Sequence, residues 1–202
     1  MKQSCNEDTI VLQPESYVEL LAIDTLFDAP QPLEIELGAG DGSFLVAWAA
    51  WHPGRNFLGV ERLLGRLRKI DRKVRRAGLL HVRLLRIEAR YFLKYMVPPG
   101  TVSALHIYFP DPWPKRKHWR HRLINDAFTE VVARALIAAG VIYLRTDDPP
   151  YFAQMKQVFD RNSKFEAVPT PPELQAVLTD FERGFHARGV STLHAAYRLK
   201  PA

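Results

Sequence analysis

The 202-residue chain carries a single cysteine, Cys5. One thiol can neither close a disulfide within the chain nor build a cysteine-cluster zinc site. Long hydrophobic runs are also missing. The longest apolar stretch, from Val131 to Leu144, is broken by Arg134, and that argues against a membrane-spanning helix. The opening residues, MKQSCNEDTIVLQPESYV, lack the apolar segment followed by small residues that marks a secretory signal. No HExxH, GxSxG or P-loop lysine pattern occurs, which argues against a zincin, a serine hydrolase and a P-loop NTPase. No internal repeat or low-complexity tract is visible. These absences describe a soluble protein of the cytoplasm.

Apolar residues make up 47% of the chain, charged residues 25% and aromatics 11%. That is the composition of a globular protein rather than a disordered or fibrous one, and the length suits one domain, 1–202. Residues 1–31 read as an irregular N-terminal extension with one candidate short helix over 14–27. From 32 to 202 strands and helices alternate. Strands are predicted at 33–37, 56–60, 81–87, 102–109 and 141–144, with a closing pair at 164–168 and 194–199. Helices are predicted at 43–51, 61–77, 89–96, 123–139 and 150–160. In the second helix Leu63, Leu67, Ile70 and Val74 recur every three or four residues as a core stripe. This alternation predicts an α/β fold with a doubly wound, mostly parallel sheet and helices on both faces. Such sheets bind ligands beyond the C-terminal ends of their strands. The loops after Leu37, Val60, Ile87, Phe109 and Leu144 should therefore carry the chemistry.

The first of these loops is Glu36-Leu37-Gly38-Ala39-Gly40-Asp41-Gly42. Alternate glycines permit positive φ and close backbone approach to a ligand. A dinucleotide fingerprint would need glycine where Ser43 stands, so the loop suits a cofactor without a pyrophosphate. Glu61 ends the second strand, where a carboxylate can accept hydrogen bonds from both ribose hydroxyls. Glu36 can pair with a ligand ammonium. Acidic groups around an adenosyl ligand favour S-adenosylmethionine over a nicotinamide dinucleotide.

The loop after the fourth strand reads Phe109-Pro110-Asp111-Pro112-Trp113-Pro114-Lys115. Its prolines fix the backbone and remove amide donors, as suits a preorganised site. Trp113 offers a flat face for a base. Of the eight residues from Lys115 to Arg122, five are Lys or Arg, which reads as phosphate contacts, with Arg120 and Arg122 among them. A second basic cluster, Arg62, Arg66, Arg68, Lys69, Arg72, Lys73, Arg75 and Arg76, lines the second helix. A solvated face and an RNA contact both remain open for it. His118 and His121 lack a third ligand and sit among cations, so no metal is expected.

These residues resemble the bacterial tRNA (guanine-N7)-methyltransferase family, from about Leu33 to about Leu199. The most specific parts are the 109–115 run with its basic sequel, and Thr146-Asp147 with Tyr151. The resemblance implies the seven-stranded Rossmann-like class I methyltransferase fold and a methyl transfer from S-adenosylmethionine to guanine N7 in tRNA, at position 46 of the variable loop. It implies cofactor contacts at Glu36, Glu61, Glu88 and Asp111, beside Gly38, Gly40 and Gly42 of the glycine loop. Asp111 is the implied catalytic residue. Substrate contacts are implied at Lys115, Asp147, Thr179 and Glu182. The chain departs from the family pattern in having Glu88 where Asp is usual, Trp119 and His121 in the basic run, Ala139-Gly140 for a common Gly-Gly, and Asp180 inside the Thr179/Glu182 motif. Three other readings are weighed: methylation of an exocyclic amine of a base or protein, an RNA-binding module without turnover, and, least favoured, a nicotinamide-dependent oxidoreductase. A monomer and a homodimer are equally compatible with the sequence.

Overall fold

Eight strands form a single sheet in the order β1-β4-β3-β2-β5-β6-β8-β7. They are β1 (Val11–Leu12), β2 (Leu33–Leu37), β3 (Asn56–Val60), β4 (Val82–Leu85), β5 (Val102–Tyr108), β6 (Leu136–Thr146), β7 (Phe165–Val168) and β8 (Leu193–Leu199). Strands β1 to β6 pair in parallel, whereas β8 runs antiparallel between β6 and β7. The computed structural model describes residues 9–201; Cys5 lies outside them. The doubly wound, mostly parallel sheet expected from the sequence is present, with one strand more than the expected seven.

The additional strand comes from the segment read as irregular. Val11 and Leu12 pair with Leu84 and Leu85, and the Asp71 carboxylate fixes the approach by accepting from the Thr9 hydroxyl and the Ile10 amide, each at 3.1 Å. The helix expected over 14–27 is only a 3₁₀ turn at Ile23–Thr25. Tyr17, Val18 and Leu20 are exposed, so no continuous apolar face supports a longer helix.

The helices are α1 (Ser43–Trp51), α2 (Leu64–Arg76), α3 (Ala89–Tyr91), which continues as a π-helical turn over Phe92–Met96, α4 (Asp126–Ala135), α5 (Pro149–Arg161), α6 (Pro172–Ala176) and α7 (Asp180–His186). Side chains alternate across the sheet. Leu33, Ile35 and Leu37 enter a core closed by Phe92, Phe128, Tyr151 and Phe159. A second core on the opposite face joins Phe44 and Trp48 of α1 to Leu67, Ile70 and Val74 of α2. Each such large apolar side chain contributes about 1.5–3 kcal/mol on burial. Leu63 does not join them: it precedes α2 and is 45% exposed.

The helix expected over 123–139 ends at Ala135. The carbonyls of Arg134 and Ala135 accept from the amides of Gly100 and Thr101 at 2.9 and 3.0 Å, so the helical bonds that residues 138 and 139 would make are replaced. Leu136 pairs with Val102, and regular pairing resumes at Ala104 with Val141. Between them the chain bulges through Ala139 at φ +62°. A side chain at Gly140 would meet the Ile137 carbonyl at 2.9 Å.

Polar groups are also buried on the sheet. The Glu34 carboxylate accepts from Trp48 Nε1 at 2.8 Å, from His106 Nε2 at 2.9 Å and from the Arg55 guanidinium. Burial opposes its charge, but the bond from His106 and its other donors prevail and hold Glu34 at about 2. Burial lowers the pKa of His106. A neutral ring donating from Nε2 leaves Nδ1 to accept from the Tyr108 hydroxyl at 2.8 Å.

Arg145, 1% exposed, lies over the Tyr108 ring at 4.3 Å. It donates from Nη1 to Glu182 Oε2 at 2.7 Å and to the Val177 carbonyl at 2.8 Å, and from Nη2 to the Leu174 carbonyl. Glu182 is fully buried and also closes the N-terminal capping box of α7 with Thr179. Burial again opposes the charge, yet the His194 bond, Arg145 and the Thr192 hydroxyl hold Glu182 at about 2. Its stabilisation is therefore complete above the unfolded value of 4.5 and is lost as pH falls toward 2. Glu182→Gln should cost about 3–5 kcal/mol at pH 7, with the deficit relative to the unsubstituted protein shrinking at pH 3. Urea melts at the two pH values check this, and an equal deficit at both would refute it.

Candidate active site

Strand order reverses between β2 and β5, and a cleft of about 830 Å³ opens beyond their C-terminal ends. Loops after β2, β3, β4, β5 and β6 line it, together with the start of α7. In the first loop Gly38, Gly40 and Gly42 have φ of +80°, +59° and +76°. Gly38 and Ala39 donate to the Val60 carbonyl at 2.9 and 3.0 Å, which ties the loop to β3. Gly38 and Gly40 face the cleft, whereas Gly42 does not. Gly42 instead lets α2 approach, since a side chain there would meet Ile70 at 2.8 Å.

Three acidic side chains border the loop. Glu61 is buried; its Oε2 accepts from the Gly40 amide at 3.1 Å and its Oε1 from the Leu63 amide at 2.8 Å. Glu88 is exposed at the rim and caps α3, taking the amides of Arg90 and Tyr91 at 2.9 and 2.7 Å. Glu36 is 4% exposed at the cleft floor, and its Oε2 is buried without a hydrogen-bond partner. Burial raises Glu36 to about 8, helped by Asp41 and Glu61 and opposed by Arg145. A buried carboxyl with a free oxygen fits a ligand ammonium, which would satisfy the oxygen and favour its charge.

The opposite wall is the proline-rich loop. It is held in an unusual backbone shape, with Phe109 at φ +52° and Trp113 at φ +45°. Neither is glycine, so each position costs about 1–3 kcal/mol and persists only where its surroundings impose it. The surroundings are identifiable. The Phe109 amide donates to the Arg145 carbonyl at 2.9 Å. Arg122 donates from Nε to the Pro112 carbonyl and from Nη1 to Gln154 Oε1, both at 2.7 Å. The Asp111 side chain between these anchors is exposed and has no hydrogen-bonding or ionic partner among the described residues. Asp147 follows β6, where the Thr146 hydroxyl accepts from the Asp148 amide at 3.2 Å and Asp148 caps α5.

Of the residues singled out in the sequence, Glu36, Gly38, Gly40, Glu61, Glu88, Asp111, Trp113, Arg120, Asp147 and Thr179 line this cleft. Lys115 is exposed beside it, outside its wall. Two expectations are corrected. Arg122, read as a phosphate contact, is 1% exposed, and its guanidinium is sandwiched at 4.5 and 4.6 Å between Trp119 and Tyr151. Glu182, read as a substrate contact, is fully buried against Arg145. Both shape the cleft wall from behind it. Sequence reasoning missed Arg145, whose signal was a lone arginine in an apolar strand, and Phe181, an exposed ring at the mouth of the cleft beside Phe109. Among the described residues, no three His, Cys, Asp or Glu side chains converge as a metal site, and no helix is long and apolar enough to cross a membrane.

Comparison with known proteins places this cleft in context. The family model Methyltransf_4, described as "Putative methyltransferase", matches residues 30–195. A tRNA (guanine-N(7)-)-methyltransferase of Leifsonia xyli subsp. xyli is 37% identical over 188 residues, covering 90% of this chain and 82% of its own length. Another, from Halorhodospira halophila, is 32% identical over 190 residues, with coverage of 90% and 81%. Among solved structures, the 16S rRNA methyltransferase KamB aligns with a TM-score of 0.66 at 14% identity, over 91% of this chain and 95% of its own, a likeness of fold. With a family model over residues 30–195 and relatives 37% and 32% identical over 90% of the chain, the chain belongs to the tRNA (guanine-N7)-methyltransferase family.

Proposed function

We propose that the protein transfers a methyl group from S-adenosylmethionine to N7 of a guanine in tRNA, by resemblance guanine 46 of the variable loop, giving 7-methylguanosine. The observation that carries this reading is one cleft joining a partnerless buried Glu36 oxygen to the unengaged Asp111 carboxylate under a basic, tryptophan-bearing rim. A tRNA substrate places the enzyme in the cytoplasm.

The residues fit the cofactor. Glu36 would hold its ammonium, the loop at Gly38 and Gly40 would pass close to it, Glu61 would take the ribose hydroxyls, and Glu88 would meet the adenine amine. When bound, S-adenosylmethionine supplies a methyl group on a positively charged sulfur.

Guanine N7 carries an in-plane lone pair and no proton, so the site needs no general base. Asp111 and Asp147 accept hydrogen bonds from the guanine N1–H and exocyclic amine. Their negative charge stabilises the ring as it becomes cationic. Catalysis then rests on positioning and preorganised electrostatics. The strained backbone at Phe109 and Trp113 sets the backbone of Asp111 in place before substrate arrives. Trp113, 37% exposed, offers a stacking face. Lys115 and Arg120 contact phosphates, while Arg122 positions the loop through Pro112. Thr179 and Glu182 act through α7, holding it against the cleft.

Incubating the protein with labelled S-adenosylmethionine and unmodified tRNA, followed by nucleoside analysis, should yield 7-methylguanosine. A different methylated nucleoside would shift the reading to an exocyclic amine. Asp111→Ala should lower kcat by about a hundredfold or more with thermal stability retained; near-normal turnover would remove Asp111 from the chemistry. Because a ligand ammonium beside it favours ionised Glu36, S-adenosylhomocysteine, which keeps that ammonium, should bind more tightly as pH rises toward about 8, by up to about tenfold per pH unit. Glu36→Gln should weaken binding and flatten that dependence, as calorimetry at pH 6 to 8.5 would show.

A further inference from the structure

We infer that α2 is a second RNA-binding surface, a track for the tRNA sugar–phosphate backbone that begins at the cleft mouth and leads away from the reacting base. This rests on the tRNA substrate proposed above and adds a surface to it.

The first observation is unbalanced charge. Arg62, Arg66, Arg68, Lys69, Arg72 and Arg76 are all exposed along this segment. Arg66 reaches Glu61 only at 4.0 Å. Asp71, an acidic residue within α2, faces away, engaged by Thr9 and Ile10. Arg68, Lys69, Arg72 and Arg76 have no acidic or hydrogen-bonding side-chain partner among the described residues. Three exposed cations elsewhere are paired, Arg161 with Asp126, Lys164 with Glu130 and Arg198 with Glu166, and the other unpaired ones, such as Lys156 and Lys200, stand singly rather than as a row along one helix. What sets α2 apart is the density of unpaired cations on one helix.

The second observation is position along the helix. Cations in the last turn, such as Arg76, are favoured by the helix dipole. Arg62, Arg66, Arg68 and Lys69 sit in or before the first half, where the dipole opposes them, and the first turn holds no acidic residue. Cations four residues apart, as Arg68, Arg72 and Arg76 are, also repel one another. Folding therefore gains nothing from this arrangement, whereas a polyanion would neutralise it and release its counterions.

The third observation is placement. Arg62 and Arg66 line the cleft, and Arg86 extends the basic surface by donating to the Arg62 carbonyl at 3.4 Å. The 13 residues of α2 span about 20 Å. The helix is locked to the glycine loop, with Ile70 under Gly42 and Lys73 Nζ on the Asp41 carboxylate at 2.5 Å. A backbone lying along α2 would thus be held in fixed register with the cofactor loop. Phosphate is the recognised group, so this surface contributes affinity and orientation while base choice stays in the cleft.

The test is an R68E/R72E variant of the full chain against a K156E/K200E control, which changes net charge equally on exposed residues remote from α2. Filter binding of unmodified tRNA between 50 and 200 mM salt should show affinity for R68E/R72E lowered by about tenfold or more, and the salt slope reduced by about 2, one per lost phosphate contact. Affinity for S-adenosylhomocysteine should be unchanged, which also reports an intact fold. R68Q/R72Q serves if charge reversal impairs folding, with the same fall in slope expected. Equal losses in R68E/R72E and K156E/K200E, or wild-type binding by the α2 variants, would overturn the track. Failure of the tRNA reading itself would appear in the unsubstituted protein, as absence of 7-methylguanosine, and is therefore distinguishable.

Discussion

Arg145 projects from the central region of the sheet into a space where a cation has no water to solvate it. A buried guanidinium is tolerable only when its donors and charge are met. Here the carboxylate of Glu182 balances the charge and, with the carbonyls of Leu174 and Val177, takes the two terminal nitrogens, while Nε is left without a partner. All three belong to the segment of the two short helices α6 and α7, which lies between β7 and β8. The segment bearing α6 and α7 is thereby pinned over the C-terminal ends of the strands. Phe181 and Thr179 reach the cleft because of it, and the Phe109 amide that begins the proline-rich loop bonds to the carbonyl of the same arginine. One ionic contact thus connects the roof of the cleft, its strained wall and its sheet floor.

Much of this architecture was legible in the sequence because it follows from local rules. The alternating Leu33-Glu34-Ile35-Glu36-Leu37, stopped by Gly38, and the run at 56–60 read as strands, and the alternating glycines between strand and helix marked the ligand end of the sheet. The paired closing strands were readable for the same reason. What escaped depends on distant partners. Strand β1 has two residues and exists only because β4 offers an unpaired edge. The alanine-rich stretch after Ala135 has helical propensity, but the amides of Gly100 and Thr101 take the carbonyls on which helix continuation depends.

The site divides in the same way. Residues that face the cleft, such as Glu36, Glu61 and Asp111, stand in motifs whose spacing announces them. Residues that hold those motifs in place do not. Arg122 sits in a run of cations and reads as one more phosphate contact. Only the fold reveals that Gln154, Trp119 and Tyr151 enclose it. Thr179 and Glu182 form a local capping box that sequence spacing can suggest, yet the burial of Glu182 against Arg145 spans 37 positions of chain. A charged side chain in a family motif is thus ambiguous between touching substrate and shaping what touches it until its solvent exposure is known.

The edge strand β1 has a consequence that concerns assembly rather than chemistry. An open sheet presents unpaired amides and carbonyls at both borders, and such borders recruit strands from other molecules. At one border the short strand β7 is flanked by β8, and its Glu166 is tied to Arg198. At the other, Val11 and Leu12 cover β4 and Thr9 is moored to α2 through Asp71. Losing those few residues would leave every cleft residue in the chain yet strip the cover from β4, a strand whose Val82, Leu84 and Leu85 are fully buried. Val11 and Leu12 thus cover the border of β4 at Leu84 and Leu85, and their removal would be felt first as aggregation at high concentration rather than as a slower reaction.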